Sequence, residues 1–284
     1  MTISPGFVMK YADLHLHTRY SDGAYTPVSL VQAAAREKFA AIAVTDHDTL
    51  EAIPETLAAG LQCGIEVIPG AEITCRVEMH EIHLLGYFFS NSWQDSQLRA
   101  VLEHSKRVRE QRVHEFVARL NSLGIPLKVD DVLSCSDCGT LGRPHVAMAL
   151  VKRGFCSSTE EAFNRFLKRG KPAFVERYRM TAAEAIGHIK RAGGVAVMAH
   201  PALNKVDEHI PNMVQQGLDG LEVWHSRQSA PQSEHYLRMT ERFGLLATGG
   251  SDCHGAVNGH ALIGTVKLPY DRIDALKERA AKSK

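Results

Sequence analysis

Several features common in other protein classes are missing from this 284-residue sequence. There is no run of eighteen apolar residues, so the sequence predicts no membrane span. The first residues lack an apolar segment followed by a small-residue cleavage site, and we therefore expect a cytoplasmic protein. The six cysteines are scattered through a chain too long to need disulfide staples, which favours reduced thiols. Cys135 and Cys138 form a single CxxC without the second pair that a structural zinc site needs.

A strong net charge is also missing. The formal charge is +1, which argues against extensive contact with duplex DNA. The segment from Lys106 to Arg179, however, contains 15 Lys and Arg but only 8 Asp and Glu, whereas the rest of the chain contains 18 Lys and Arg and 24 Asp and Glu. A basic middle segment beside an acidic remainder suggests an anionic substrate held next to metal-binding carboxylates. A solvated helical surface has the same composition and is the alternative interpretation.

Short β-branched runs alternate with helical stretches in both flanks of the chain, residues 1–92 and 180–284. Strand candidates such as AIAVTDH and GVAVMAH are each followed by a helical pattern. This alternation predicts an α/β fold with a parallel sheet, and the number of units favours a barrel. Residues 93–179 contain long helical stretches and few strand signals, so we interpret them as an inserted α-helical cap domain.

Histidine is abundant, with fifteen residues, and many strand candidates carry His, Asp or Glu at or near their ends. The carboxyl ends of the strands of a parallel barrel share one face, where active sites are built. A lone histidine is more often a hydrogen-bonded core or surface group than a ligand. Six strand ends with the same chemistry are poorly explained by coincidence. The residues at these positions are His15, His17, Asp46, His47, Glu72, His83, His200, His225, Asp252 and His254.

Imidazole and carboxylate together suit zinc, manganese or iron. Strand alternation lets His15 and His17 point to the same side. The two oxygens of a carboxylate such as Glu72 can bridge two ions. Two ions roughly 3.5–4 Å apart can clamp a phosphate and generate hydroxide at neutral pH. The pattern therefore indicates a metal site that could act on a phosphate.

The sequence contains, in this order, the motifs DLHLHTRYSDG, VTDHD, GAEI, a histidine in the next strand, AHP and GSDCHG. This series resembles the motifs of the PHP (polymerase and histidinol phosphatase) family of metal-dependent phosphoesterases. The resemblance covers about residues 10–90 and 185–260. It implies a distorted (β/α)7-type barrel with two or three divalent ions, manganese being expected and zinc or iron the alternatives. The helical insert and GRPH at 142–145 further resemble the subgroup that hydrolyses nucleoside 3′,5′-bisphosphates, some of whose members are also described as 5′-3′ exoribonucleases.

The resemblance assigns nine ligand positions to three ions. The first ion has His15, His17, Glu72 and Asp252, the second shares Glu72 and adds His83 and His200, and the third has Asp22, His47 and His254. Three further residues are candidates for a catalytic role. Asp13 and Asp46 each adjoin a ligand and are candidates to orient imidazoles, and His225 is expected at the barrel rim, in contact with substrate. Capping of the following helix is the alternative role of Asp46.

A substrate with a second phosphate would need cations. Arg143 and His145 are our first choice, because the loop before a Pro-started helix can present a planar guanidinium to phosphate oxygens. Arg109, Arg112 and Arg177 are further candidates, each of which also suits a solvated helix.

We expect an enzyme that removes the 3′-phosphate of a small nucleotide. The alternatives are a 5′-3′ exoribonuclease on short 5′-phosphorylated RNA, a histidinol-phosphate-type phosphatase, a metal-binding regulatory module, and a nucleic-acid-binding protein without catalytic activity.

Overall fold

A mixed sheet forms the centre of the computed structural model, which describes residues 9–135, 142–176, 179–257 and 260–282. The strands are β1 (Tyr11–Leu16), β2 (Ala41–Val44), β3 (Glu66–Val77), β4 (His80–Tyr87), β5 (Val195–Met198), β6 (Gly220–His225), β7 (Leu246–Gly250), β8 (Ala256–Val257), β9 (His260–Ala261) and β10 (Leu268–Pro269). Eight of them form one sheet in the order β10-β1-β2-β3-β4-β5-β6-β7, and β8 pairs with β9 in a separate hairpin.

The two ends of the sheet approach each other and nearly close a barrel. Leu16 at the end of β1 forms an isolated parallel bridge with Cys253, beyond β7. The backbone N–H of Asp252 donates to the carbonyl of His15 at 2.9 Å. A Cβ atom at Gly250 would overlap the backbone of His15, so the close approach of β7 to β1 requires glycine here. The predicted α/β barrel is thus confirmed.

The prediction of a parallel sheet was wrong for β4, which runs antiparallel to both β3 and β5. Only two residues, Glu78 and Met79, connect β3 to β4, and a connection this short can only join antiparallel strands. Glu78 has a φ of +49°, as tight turns often require. His83 therefore lies near the beginning of its strand, not at its end, and this reversal brings it to the edge where the parallel strands end.

Helices surround the sheet. On the barrel they are α1 (Pro27–Arg36), α2 (Ile53–Cys63), α7 (Ala182–Arg191), α8 (Pro201–Asn204), α9 (Ile210–Gln215), α10 (Ala230–Phe243) and α11 (Asp271–Lys282). Thr26 caps α1 by accepting a hydrogen bond from the N–H of Ser29, and Pro27 occupies its first turn. None of the helices in the described ranges combines the length and the apolar run needed to span a bilayer.

The middle segment is helical, with α3 (Ser96–Ser122), α4 (Val129–Leu133), α5 (Arg143–Lys152), α6 (Thr159–Ala162) and a π-helical turn at Phe163–Leu167. Helix α3 contributes to two hydrophobic clusters. Leu98 and Leu102 pack in the large barrel core, whereas Phe116 and Leu120 pack in a second cluster with residues of α5 and the π-helical turn. A separate hydrophobic cluster of this kind is expected for a cap domain that has its own core. The domain boundaries at residues 93 and 179 stay a prediction.

Candidate metal centre and adjoining cavity

Glu72 is buried on β3 and is surrounded by five histidines of the barrel. Its Oε2 atom is 3.3 Å from Nε2 of both His15 and His17, and 3.2 Å from Nδ1 of His47. Its Oε1 atom is 2.7 Å from Nδ1 of His83 and 3.0 Å from Nε2 of His200. The two oxygens of one carboxylate therefore face two different groups of imidazoles.

Asp252 completes the first group. Its Oδ1 atom lies 3.5 Å from Nε2 of His15 and 3.2 Å from Nε2 of His17. The ligand atoms of His15, His17, Glu72 and Asp252 all lie within 4.8 Å of one another, in the combination that the sequence resemblance implied for the first ion.

A second set of ligand atoms surrounds Asp22, whose side chain is 37% exposed. Its carboxylate lies 3.2 Å from Nε2 of His254, 3.6 Å from Nε2 of His47 and 3.7 Å from Nδ1 of His17. His47 also belongs to a third set, with Glu72 and His83. The structure brings all nine predicted positions together, and it places His47 between two sets where the sequence had assigned it to one. The role of each residue as a ligand stays a prediction.

The donor atoms fit a divalent ion. Within the described part of the chain, five buried atoms of the predicted ligand residues have no hydrogen-bond partner: His15 Nε2, His17 Nε2, His47 Nδ1, Glu72 Oε2 and His200 Nδ1. The first four of these lie close to one another. Buried polar atoms in folded proteins are nearly always satisfied, so four such atoms facing one another point to a bound cation. Imidazole nitrogen and carboxylate oxygen are ligands that zinc, manganese and iron accept.

The electrostatics of the cluster favour cation binding. Burial alone would raise the pKa of Glu72, but the histidines around it hold it well below its usual range. Burial would likewise raise the pKa of Asp252, but His15 and His17 keep it low. Burial lowers the pKa of His47 to about 3, so that its ring is neutral. Two ionised carboxylates and a neutral imidazole thus share one buried space.

Asp13 and Asp46, the candidates for orienting imidazoles, accept hydrogen bonds from backbone N–H groups, and Asp46 also accepts them from hydroxyl groups. Asp13 accepts hydrogen bonds from the N–H groups of Ser251, at 2.9 Å, and His15, at 3.3 Å, and burial raises its pKa to about 7. Asp46 accepts from the N–H of Thr18 at 2.7 Å and from the hydroxyl of Ser21 at 2.5 Å. Both carboxylates therefore stabilise the backbone segments that carry predicted ligand residues.

Two further observations concern these candidates. The N-cap position of α2 is occupied by Ala52, so the alternative of Asp46 as a helix cap is wrong. His225 is buried against Asp252, with Nε2 3.3 Å from Oδ2. Its Nδ1 accepts the N–H of Arg227 at 3.1 Å, which in a neutral ring leaves the proton on Nε2 to donate to Asp252.

Glu222 is a residue of this site that the sequence analysis missed. It is fully buried on β6, and its Oε1 atom lies 3.0 Å from Nδ1 of His15. It lies inside β6, whose sequence is GLEVWH, and not at the end of this strand, where the predicted site residues were expected. An acidic residue within an otherwise buried strand was the available signal, since buried carboxylates need specific partners.

A cavity of about 310 Å³ adjoins the cluster. Residues of the metal cluster and residues of the middle segment line it together. The cluster contributes Asp22, His47 and His83, and the middle segment contributes Arg109, Arg112, Arg143, His145 and Phe163. Arg179, which the sequence analysis did not select, also lines the cavity and lies 2.5 Å from Glu81. A strongly cationic wall therefore faces the cluster of imidazoles and carboxylates.

The predicted substrate-binding residues differ in their surroundings. The guanidinium of Arg143 lies 5.6 Å from the centre of the Phe163 ring. His145 accepts the N–H of Gly142 at 3.1 Å, and burial lowers its pKa. Arg112 is buried and donates twice to the carbonyl of Val175, at 3.2 and 2.9 Å, which ties it to the cap. Arg109 forms an ion pair with Asp48. Arg177 and Cys138 lie outside the described residues.

A nearly closed barrel whose strand ends carry clustered imidazoles and carboxylates beside a cationic cavity defines the class of metal-dependent hydrolases that act on phosphate esters. The PHP domain family matches residues 13–117. The chain is 34% identical to a 5′-3′ exoribonuclease of Haemophilus influenzae over 86% of this chain and 90% of that protein. It is 31% identical to a 3′,5′-nucleoside bisphosphate phosphatase of Chromobacterium violaceum over 92% and 93% of the two chains.

A crystal structure from Bifidobacterium adolescentis, of a protein described as a metal-dependent phosphoesterase, has a TM-score of 0.78 to this chain. The two are 32% identical, and the match covers 94% of this chain and 96% of the other. This protein belongs to the PHP family.

Proposed function

We propose that the protein hydrolyses the 3′-phosphate of nucleoside 3′,5′-bisphosphates, giving a nucleoside 5′-monophosphate and phosphate. One observation carries the proposal: a single cavity is lined by His47 and His83 of the candidate metal centre and by Arg109, Arg143 and Arg179. Such a cavity can hold one phosphate at the metal centre for reaction while a second phosphate is anchored by arginine. The similarity to the bisphosphate phosphatase of Chromobacterium violaceum supports this substrate class.

The buried cluster would hold two or three divalent ions, for which we propose manganese, with zinc or iron as alternatives. When bound, such ions activate water and neutralise charge on phosphoryl oxygens. Glu72 would serve two ions, because its two oxygens face different imidazoles. His225 would hold Asp252 in place through its Nε2–H, and Asp13 and Asp46 would fix the backbone beside His15 and His17.

The 5′-phosphate would bind at the first turn of α5. Arg143 and His145 both stand in that turn and both line the cavity. A guanidinium can donate two parallel hydrogen bonds to phosphate, which orients the nucleotide as well as attracting it. Arg109 and Arg179 would add positive charge on the same wall. Because each of these arginines also contacts a protein group, their positions are defined before the substrate arrives.

A second candidate activity is a 5′-3′ exoribonuclease on short 5′-phosphorylated RNA. The similarity to the exoribonuclease of Haemophilus influenzae favours it, and a nucleotide with a 5′-phosphate and a 3′-phosphodiester presents the same two charged groups to the cavity. Release of mononucleotides from 5′-phosphorylated oligonucleotides of increasing length would distinguish the two activities. We place either activity in the cytoplasm, where nucleotides occur and where free thiols such as those of Cys75 and Cys156 are stable.

The test is phosphate release from adenosine 3′,5′-bisphosphate with and without added manganese. We expect metal-dependent release by the wild-type protein and its loss in His17→Ala and Asp252→Ala. His235→Ala is the matched control, because His235 is a histidine paired with Asp207 on the surface of α10. The proposal fails if release is independent of metal or if both cluster variants keep wild-type activity.

A further inference from the structure

Glu222 is a buried carboxylate whose two oxygens both contact residues of the candidate metal centre. It is fully buried in the middle of β6. Removing a carboxylate from water is unfavourable unless specific partners compensate it. Oε1 lies 3.0 Å from Nδ1 of His15, and Oε2 accepts the backbone N–H of His200 at 2.8 Å. One side chain thus connects the ends of two different strands.

The contact with His15 determines which nitrogen of the ring carries the proton. In a neutral imidazole, a proton on Nδ1 that is donated to Glu222 leaves the lone pair on Nε2. Nε2 points to Oε2 of Glu72 at 3.3 Å and to Oδ1 of Asp252 at 3.5 Å. A carboxylate behind a ligating histidine fixes both the tautomer and the ring orientation, and raises the basicity of the ligand nitrogen.

The contact with His200 supports an unusual backbone conformation. His200 has a φ of +31°, in the left-handed region that residues other than glycine rarely adopt. Such a conformation is energetically unfavourable and persists only where the surroundings enforce it. The hydrogen bond from its N–H to Glu222 holds this turn, which directs the imidazole to Oε1 of Glu72 at 3.0 Å.

Asp219 shows that burial next to β6 does not by itself direct a carboxylate to the metal centre. Asp219 is also buried and precedes Glu222 by three residues. It accepts a hydrogen bond from Nζ of Lys190 at 2.7 Å and another from the N–H of Ala196 at 3.0 Å, and neither partner belongs to the cluster. Two buried carboxylates only three residues apart therefore contact different parts of the molecule, and only Glu222 contacts the metal centre.

We infer that Glu222 is a positioning residue that orients His15 and His200 and thereby sets the affinity of the site for divalent ions. This inference rests on the proposed metal-dependent function. Glu222 does not itself face the cavity, so its effect on hydrolysis is exerted through these two histidines.

The test compares Glu222→Gln with the matched variant Asp219→Asn. A carboxamide has one acceptor oxygen, so only one of the two contacts survives in Glu222→Gln. We expect its affinity for Mn²⁺, measured on chelated protein by competition with a metal-binding dye, to fall about 10- to 100-fold. Asp219→Asn should lower the melting temperature and leave the affinity unchanged. Saturating Mn²⁺ should restore much of the kcat of Glu222→Gln.

A folded Glu222→Gln protein with wild-type affinity for Mn²⁺ overturns the inference. If that variant does not fold, the wild-type protein labelled with ¹⁵N-histidine and loaded with Zn²⁺, which is diamagnetic, decides the question by NMR. A proton on Nε2 of His15 in this state contradicts the inference, and one on Nδ1 supports it. The binding assay contains no substrate. Tight Mn²⁺ binding without phosphate release would therefore refute the proposed function alone, and an active enzyme whose affinity is insensitive to Glu222 would refute this inference alone.

Discussion

The imidazole rings of His17 and His254 stack, with their centroids 4.0 Å apart and their planes inclined by 16°. One ring follows the first strand of the barrel and the other follows the last long strand, so this contact lies where the sheet nearly closes. The ring of His17 faces Glu72 and Asp252 through Nε2, whereas His254 faces Asp22. The stacked pair thus lies between a fully buried set of ligand atoms and a partly exposed one, and its two Nδ1 atoms face across it, that of His17 to Asp22 at 3.7 Å and that of His254 to Asp252 at 3.5 Å.

This arrangement predicts that the exposed set can be emptied by itself. His254→Ala removes one of the three histidines near Asp22 but none of the atoms around Glu72. We expect the variant to lose about one ion per chain and to keep the others, since the ligand atoms around Glu72 stay in place. Metal content after dialysis, measured by mass spectrometry, checks this. Asp22→Asn should give the same result, and loss of all ions from either variant would contradict the prediction.

Metal binding should release protons. Burial disfavours a charged His17, but the carboxylates of Asp252 and Glu72, 3.2 and 3.3 Å from its Nε2 atom, outweigh burial and raise its pKa to about 10. At pH 8 the ring is therefore protonated in the chelated protein, and a bound cation must displace that proton from Nε2. We expect release of at least about one proton per chain at pH 8 and less above pH 10. Titration calorimetry in two buffers of different ionisation enthalpy measures the number, and no release at pH 8 would refute it.

The ion pair between Arg109 and Asp48 should contribute to stability. The side chains are 13% and 3% exposed, and Asp48 also accepts the N–H of Thr74 at 2.8 Å. Arg109→Met leaves a buried carboxylate without its cation, so we expect the free energy of unfolding to fall by about 3 kcal/mol. Denaturant unfolding of chelated protein measures the loss.

An exposed ion pair provides the control for that measurement. Arg238→Met removes the cation that pairs with Glu234 on the surface of α10, where both side chains are more than half exposed. We expect a loss of about 0.3–0.5 kcal/mol there, as for other exposed pairs on one helix. Equal losses in the two variants would show that the Arg109 pair does not act as a buried one.

Arg143 should affect binding of the substrate more than its hydrolysis. In Arg143→Ala we expect KM for adenosine 3′,5′-bisphosphate to rise roughly 10- to 100-fold, the usual effect of losing a charged hydrogen bond, with little change in kcat. Adenosine 3′-monophosphate lacks the anchoring group, so its kcat/KM should be the same in the variant and in the wild type. An equal loss with both substrates would place the reacting phosphate, not the 5′-phosphate, at Arg143.

Much of the metal centre was predictable because it is built from strand ends. The motifs at His15, His47, His200 and Asp252 each follow an apolar run, and parallel strands bring such positions to one edge. The direction of β4 was not predictable in this way. Its hairpin turn, Glu78 and Met79, lacks the Asn and Gly residues that identify a tight hairpin in a sequence.

Glu222 escaped prediction for a second physical reason. In a regular strand, Glu222 and His225 would point to opposite faces, because side chains alternate. The pairing of β6 with β7 shifts register between Glu222 and Trp224, and both Glu222 and His225 then point to the metal centre. Such an irregularity depends on the neighbouring strand. Likewise, the pairing of Arg109 with Asp48 depends on how the middle segment packs on the barrel, and a local sequence pattern does not predict that packing.

The position of Glu72 limits how this site can change in evolution. Because its two oxygens serve different imidazoles, any replacement there disturbs both groups together. A descendant protein that works with fewer ions would therefore first be substituted at a residue that contacts one group of imidazoles only. Asp22, at the solvent-exposed margin of the site, is such a residue. Variation among descendants should accumulate at that margin while Glu72 remains invariant.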